Sequence, residues 1–189
     1  MTAFKLTAAA LIAAFLAFTS QAHAQEKSAR RDAGKDSGQV AKQDRQALTR
    51  MAQSDMAEIA AGKVAAQKAS SPEVKKFGQH MVDEHSKMLE EGSKLAQAKG
   101  MKPPAGPDKK HQDALQKLQK ASGGDFDRQY MQQMVKDHQE VLKVAEKTAK
   151  GAKDAELKAH AEKGVPHIKE HLAEARKISQ TLSPTKGSK

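Results

Sequence analysis

The chain has 189 residues, with 33 Lys and Arg against 23 Asp and Glu, a formal net charge of +10, 3% aromatic residues and no cysteine. The lack of cysteine excludes a disulfide-held fold, and the scarcity of aromatic and β-branched residues argues against a sheet protein. The basic residues are spread along the chain without interleaved aromatic residues, so we expect no nucleic-acid partner. The positive charge leaves open a peripheral contact with an anionic surface of the cell envelope.

Residues 1–24 are typical of a signal peptide. Lys5 is followed by an apolar run over residues 6–18 and by Ala22-His23-Ala24, the small-residue pattern of a cleavage site. The run is too short, and its end too polar, for a helix that stays in the bilayer. We therefore expect cleavage after Ala24 and a mature protein that is periplasmic or associated with the cell envelope.

The rest of the chain divides into three parts. Residues 25–43 are polar, contain Gly34 and Gly38, and predict a flexible N-terminal segment. Residues 44–182 are long enough for one hydrophobic core and predict a single domain. Residues 183–189 predict a flexible tail.

Four long segments of that domain have apolar residues at helical spacing. The predicted helices run from about 44–69, 72–99, 125–150 and 154–182. Ser71 and Pro72 are typical of the start of the second helix, and Gly100 is typical of a residue that ends one. Pro166 lacks a backbone N–H, so we expect the last helix to kink or restart there.

The connections between the helices predict the topology. The first and second helices, and the third and fourth, are joined by a few residues and should form antiparallel hairpins. About 25 residues join the hairpins, and they include a short amphipathic helix near 110–120. At 1.5 Å per residue, this helix extends roughly 15 Å along the bundle. We therefore predict an all-α, ferritin-like four-helix bundle with a long crossover that contains a short helix.

Seven histidines follow residue 24, and three of them lie at the centre of apolar stripes: His85, His138 and His171. The middles of similar helices lie at one level in a bundle. We therefore expect His85, His138 and either His167 or His171 to meet Glu58, from the middle of the first helix, at one buried polar centre. Such a site would suit zinc, copper, nickel or iron. The remaining histidines lie among polar residues and indicate surface positions, most clearly at His80: His80, His111 and His160.

An acid precedes each of these inward histidines: Glu84, Asp137 and Glu170. Adjacent helical residues point about 100° apart, so these acids do not share a face with the histidine that follows. They could instead orient a histidine on a neighbouring helix, as carboxylates do for metal-bound imidazoles. The alternative interpretation is an ordinary charged flank.

Two more specific metal-enzyme motifs do not fit the sequence. Residues 167–171 fit the H-x-x-E-H pattern of inverzincin proteases, but only 18 residues remain for the further ligand that those enzymes need. The Glu-x-x-His signature of di-iron carboxylate centres is also absent, because Val82, Val135 and Ile168 stand three residues before the inward histidines. No nucleophile or phosphate-loop motif appears, so the sequence gives no indication of an enzyme.

Several short motifs resemble one bacterial family. They occupy residues 58–63, 69–74, 81–85, 126–130, 137–138 and 166–172. Over about residues 47–178, the chain resembles a domain family of unknown function whose members are usually labelled predicted outer membrane proteins and look ferritin-like in fold. The resemblance implies an envelope location, a four-helix bundle and no established activity. The family's motif positions here include Glu58, His85, His138 and His171.

Two functional hypotheses follow. The first is an exported helical bundle that binds a transition metal through its inward histidines, for metal handling or envelope stress protection. The second is a non-catalytic structural or binding protein of the envelope that holds no metal. In that case each buried histidine should have a carboxylate partner.

Overall fold

The computed structural model of the protein describes residues 40–182. The predicted signal peptide, the N-terminal segment as far as residue 39, and the tail at 183–189 lie outside the described residues. The described part contains five helices and no strand: α1 Lys42–Lys68, α2 Pro72–Ala98, α3 Lys109–Lys120, α4 Gly123–Gly151 and α5 Ala155–Thr181. None of these five helices has the length and apolar character that a membrane span requires.

The helices form the predicted bundle. α1 packs on α2 and α4 packs on α5 as two hairpins, α1 also contacts α4, and α2 contacts α5. The crossover between α2 and α4 lies over α1 and α4, because its short helix α3 contacts both. This arrangement confirms the ferritin-like, all-α fold class, and each helix begins and ends within two residues of the predicted position.

The helix ends have the expected chemistry. The Ser71 hydroxyl accepts a hydrogen bond from the Val74 N–H at the start of α2. At the end of α2, Gly100 has a φ of +66° and donates to the Gln97 carbonyl, while Met101 donates to the Ala96 carbonyl. This pair of bonds is a Schellman motif, and its left-handed position favours glycine.

The predicted restart at Pro166 does not occur, because α5 runs from Ala155 to Thr181 as one helix. The proline removes the hydrogen bond to the carbonyl of Glu162, four residues earlier. Pro166 and Glu162 are both exposed, so water can reach that carbonyl. The chain can therefore include proline here without leaving a buried acceptor unpaired.

Two buried aspartates tie the hairpins together. Asp127, near the start of α4, accepts hydrogen bonds from the Ser70 and Ser71 N–H groups in the α1–α2 loop, at 3.0 and 2.8 Å. Asp44, near the start of α1, accepts from the N–H groups of both residues before α5, Lys153 and Asp154, each at 2.9 Å. Each hairpin thus holds the loop of the other, which fixes the height of the helices relative to one another.

We expect Asp127→Asn to destabilise the fold by about 1–3 kcal/mol, because the amide group replaces one of two acceptors with a donor that faces an N–H. Equilibrium unfolding in urea would measure the loss. Asp125→Asn is the matched control, since Asp125 is exposed at the same end of α4. Equal stability of the two variants would contradict the structural role of Asp127.

Candidate metal centre

Three helices bring one histidine each into the centre of the bundle. His85 of α2, His138 of α4 and His171 of α5 are 1%, 0% and 2% exposed. Their ring centroids are 5.2 to 5.5 Å apart. One nitrogen of each ring lies within 4.8 Å of a nitrogen of the other two. The geometry brings together the three histidines that centre their apolar stripes.

Apolar layers enclose the histidines above and below. One turn away on one side are members of the main hydrophobic cluster, which includes Phe77, Phe126 and Tyr130. One turn away on the other side, residues of a second cluster pack against each other. The flanking residues on α2, α4 and α5 are, in that order, Met81, Met134 and Ala175 in the first cluster and Met88, Val141 and Ile168 in the second. The histidines therefore form a polar layer with little access to water.

Hydrogen bonds fix the orientation of two of the rings. His85 Nδ1 is 2.9 Å from Asp55 Oδ1, and both groups are buried. His138 Nδ1 donates to the Met134 carbonyl oxygen at 2.8 Å. A ring that donates through Nδ1 in its neutral form carries its free lone pair on Nε2.

One nitrogen of each ring is left without a hydrogen-bond partner in the described part of the chain. His85 Nε2, His138 Nε2 and His171 Nδ1 are buried and have no hydrogen-bond partner among residues 40–182. An unpaired buried polar atom lowers the free energy of unfolding by about 1–3 kcal/mol. Three together are therefore a large loss relative to the total stability of a fold of this size. Three buried imidazoles with nitrogens within 4.8 Å of one another are a donor set that suits a transition metal.

Glu58 of α1 lies beside this layer. Its side chain is 1% exposed, and Oε1 lies 3.7 Å from His138 Nδ1. Both carboxyl oxygens lack a hydrogen-bond partner within the described residues. Burial raises the pKa of Glu58 well above its ordinary value, and the charges of Asp137 and Asp55 raise it further. Its carboxyl group is therefore held close to the imidazoles in a setting that disfavours an isolated negative charge.

The environment also disfavours positive charge on the histidines. Burial, together with the charge of His85, lowers the pKa of His138 to about 3. Burial and the charges of His85, His138, His80 and His167 lower the pKa of His171 to about 2. Both imidazoles are therefore neutral near pH 7, which is the form that binds metal.

Four other predicted residues lie outside the histidine layer. His167 is 44% exposed and lies 3.7 Å from Glu84 rather than beside the three buried rings. Glu84 also binds Lys87, at 2.9 Å. Asp137 is buried but accepts from Gln133, at 2.6 Å. Glu170 is exposed. No contact between Glu84, Asp137 or Glu170 and the three buried rings is observed among the described residues.

The carboxylate that orients a buried ring is Asp55, which the sequence reasoning missed. Asp55 lies four residues after Met51 and three before Glu58, so the inward stripe of α1 continues through both acids. The sequence signal that could have identified Asp55 is the presence of a polar residue at an inward position of the apolar stripe. His80 is exposed, as predicted, but its ring also contacts the buried layer, because its centroid lies 5.2 Å from that of His171.

Comparisons with known proteins give a family and a fold. Residues 29–178 match the family described as "Domain of unknown function (DUF4142)". The structure is similar to the "DUF305 fragment from Deinococcus radiodurans", with a TM-score of 0.65 and 12% identity over 76% of this chain and 97% of that one. It is also similar to "CopM in the Cu(II)-bound form", with a TM-score of 0.64 and 21% identity over 74% and 97%. No curated protein matches the chain.

The lowered pKa values predict sensitivity to acid in the metal-free protein. The unfolded chain binds protons at His138 and His171 below pH 6.5 while the folded protein does not, so the free energy of unfolding falls as pH drops. Each histidine contributes up to about 1.4 kcal/mol per pH unit, and the raised pKa values of Glu58 and Asp137 act in the opposite direction.

His171→Gln should therefore reduce the loss of stability between pH 6.5 and pH 4.5 by about 2 kcal/mol relative to the unsubstituted protein. Urea unfolding at several pH values, with a chelator present, would measure the difference. His167→Gln, one turn earlier and half-exposed, is the control and should change the pH profile much less, because the charge of His167 is the smallest of the contributions that lower the pKa of His171. Identical profiles for all three proteins would show that burial of His171 does not govern acid stability.

Proposed function

Since this chain belongs to the DUF4142 family, a domain family of unknown function, we propose from its own residues that it binds one transition-metal ion through His85, His138 and His171. The proposal rests on one observation, the three unpartnered and buried ring nitrogens. A bound ion would satisfy all three at once. Without it, each nitrogen remains a buried polar atom with no hydrogen-bond partner among the described residues.

The spacing suits such an ion. Metal–nitrogen bonds of about 2.0–2.1 Å place the nitrogens of a three-histidine site roughly 3.5 Å apart. The rings have nitrogens within 4.8 Å of one another, so closing around an ion requires small side-chain movements. The histidines lie on three different helices, so the ion would also link the two hairpins of the bundle.

The donor set narrows the class of metal. Three imidazoles suit copper, zinc, nickel or iron, while a site with a single nearby carboxylate has too few oxygen ligands for calcium or magnesium. The fold shared with CopM, a protein described in a Cu(II)-bound form, makes copper the first metal to test. The carboxylate of Asp55, behind His85, would supply negative charge to a divalent site. Glu58 would supply more once a bound cation offset the burial that raises its pKa.

The burial of the ligands favours handling of the ion over catalysis on it. All three histidines are at most 2% exposed, which leaves no open face for a substrate. Combined with the export signal predicted at residues 1–24, this supports metal storage or carriage in the periplasm or cell envelope, including protection against metal stress.

The alternative of a purely structural histidine layer is supported at one position. His85 has the carboxylate partner that this hypothesis requires. His138 pairs with a backbone carbonyl instead, and the buried Nδ1 of His171 has no partner among the described residues. The metal-binding hypothesis accounts for the unpaired nitrogens of all three rings.

Elemental analysis of the protein purified from its own compartment tests the proposal directly. We expect one equivalent of a transition metal per chain. His85→Ala combined with His138→Ala should abolish the binding, while the exposed control His167→Ala retains it. Absence of metal from the native protein, together with no binding of Cu(II) or Zn(II) added to it, would refute the proposed function.

Asp55→Asn should weaken metal affinity by about 10–100-fold without changing the stoichiometry, because Asp55 orients His85 and does not reach the ion. Competition titration against a chelator of known affinity measures this. Asp83→Asn, two residues before His85 on the exposed side of α2, is the matched control and should bind as the unsubstituted protein does. A loss of affinity in both variants would point to a general charge effect instead.

A further inference from the structure

The seam between α2 and α5 lies directly outside the buried histidines. His85 of α2 and His171 of α5 face each other below it, with ring centroids 5.2 Å apart. Among the described residues, three pairs of charged or titratable side chains join α2 to α5 across this seam. One is the ion pair of Glu91 with Lys163, at 2.8 Å. The other two each join an imidazole to a carboxylate.

The two mixed pairs are one turn apart on α2 and two turns apart on α5. His80 Nδ1 lies 3.4 Å from Glu174 Oε2, and these side chains are 46% and 41% exposed. Glu84 Oε2 lies 3.7 Å from His167 Nδ1. Imidazole and carboxylate are both ligands for transition metals, and each pair joins one residue of α2 to one of α5. They therefore offer weak, solvent-accessible ligand pairs at the surface of the seam.

The outer pairs are continuous with the buried layer. The ring of His80 packs edge-on against that of His171, with centroids 5.2 Å apart. A cavity of about 240 Å³ also lies at the seam, and its lining includes Glu84, His167, Met88 and Gly164. Gly164 leaves room beside the Met88 methyl group, which an added Cβ would contact at an ordinary distance of 3.6 Å.

The other seams are closed by different means. α1 and α2 touch through their backbones, since a Cβ on Gly62 would lie 2.6 Å from the Gly78 carbonyl oxygen. The short helix α3 contacts both α1 and α4. Val141, Leu142 and Val165 belong to an apolar cluster between α4 and α5. His111 of α3 also lies near carboxylates, 2.7 Å from Asp108 and 3.8 Å from Asp137. Within residues 40–182, the contact between a half-exposed imidazole and a ring of the buried layer is that of His80 with His171, at the α2–α5 seam.

We propose that His80 with Glu174, and Glu84 with His167, form an outer loading site that captures a transition-metal ion and passes it between α2 and α5 to the buried histidines. This inference rests on the proposed function, because it assumes that the buried site holds metal. The ion first binds one imidazole and one carboxylate at the surface. It then exchanges these ligands for His171 and the rings behind it.

The distinguishing property of a loading site is that it changes rates and leaves the final affinity unchanged. Mixing the full chain with Cu(II) in a stopped-flow instrument measures uptake, and extraction by excess chelator measures release. His80→Gln with Glu174→Gln should slow both processes about tenfold, within the range of ~1–3 decades over which association rates vary among variants of one site. Glu84→Gln with His167→Gln should have a smaller effect in the same direction.

Glu146→Gln is the control, because Glu146 forms a comparable ion pair with Lys169 between α4 and α5, at 2.9 Å. Its rates should equal those of the unsubstituted protein. Unchanged rates in both seam variants would overturn the loading site while leaving the buried metal site intact. A weakened equilibrium affinity with normal uptake would also overturn it, because His80 would then be a ligand of the final site. Failure of the unsubstituted protein to bind Cu(II) or Zn(II) would instead refute the buried site on which the inference depends.

Discussion

Two reciprocal hydrogen-bonded contacts hold the bundle in register, and the site depends on that register. Asp127 of the second hairpin binds two N–H groups of the first hairpin's loop, and Asp44 of the first binds two N–H groups of the second's. Each contact pairs a buried carboxylate with backbone donors that would otherwise be unpaired at a helix start. Rotation by one residue on any of the three helices would turn a histidine about 100° out of the centre. The loops far from the histidines therefore determine whether the rings meet.

The histidine layer is an unfavourable feature of an otherwise apolar core. A bundle of this size could fill the layer with leucine and gain stability from the added apolar burial. Instead, it keeps three imidazoles that each have one nitrogen without a partner within residues 40–182, and a glutamate whose two oxygens also lack one there. Clusters of buried titratable groups with strongly shifted pKa values are characteristic of functional sites. This loss of stability is consistent with the proposed role of the layer in holding an ion.

Periodicity was sufficient to predict the helices, their pairing, and the inward positions of His85 and His138. It left His167 and His171 as alternatives, because residues four apart differ by only about 40° around a helix. Packing decides between them, since Ile168 and Ala175 put His171 on the core side and leave His167 at the rim. The same reasoning failed for Asp55, Asp44 and Asp127. An acid at a stripe position or in a first turn has the appearance of a solvated residue, and only the tertiary fold shows that its partners come from another helix.

Burial that protects an ion also isolates it. Ligands that are at most 2% exposed exclude water and competing chelators, so exchange must follow a defined path through the helices. In three of the four seams, backbone contact, the crossover helix or apolar packing closes such a path. In the fourth, the outermost imidazole of His80 is half-exposed, and it touches His171 in the buried layer. A protein that stored an ion permanently would need no such chain of ligands. If the buried histidines hold an ion as proposed, the polar seam between α2 and α5 provides the path for its uptake and release, which is the behaviour required of a metal-handling protein.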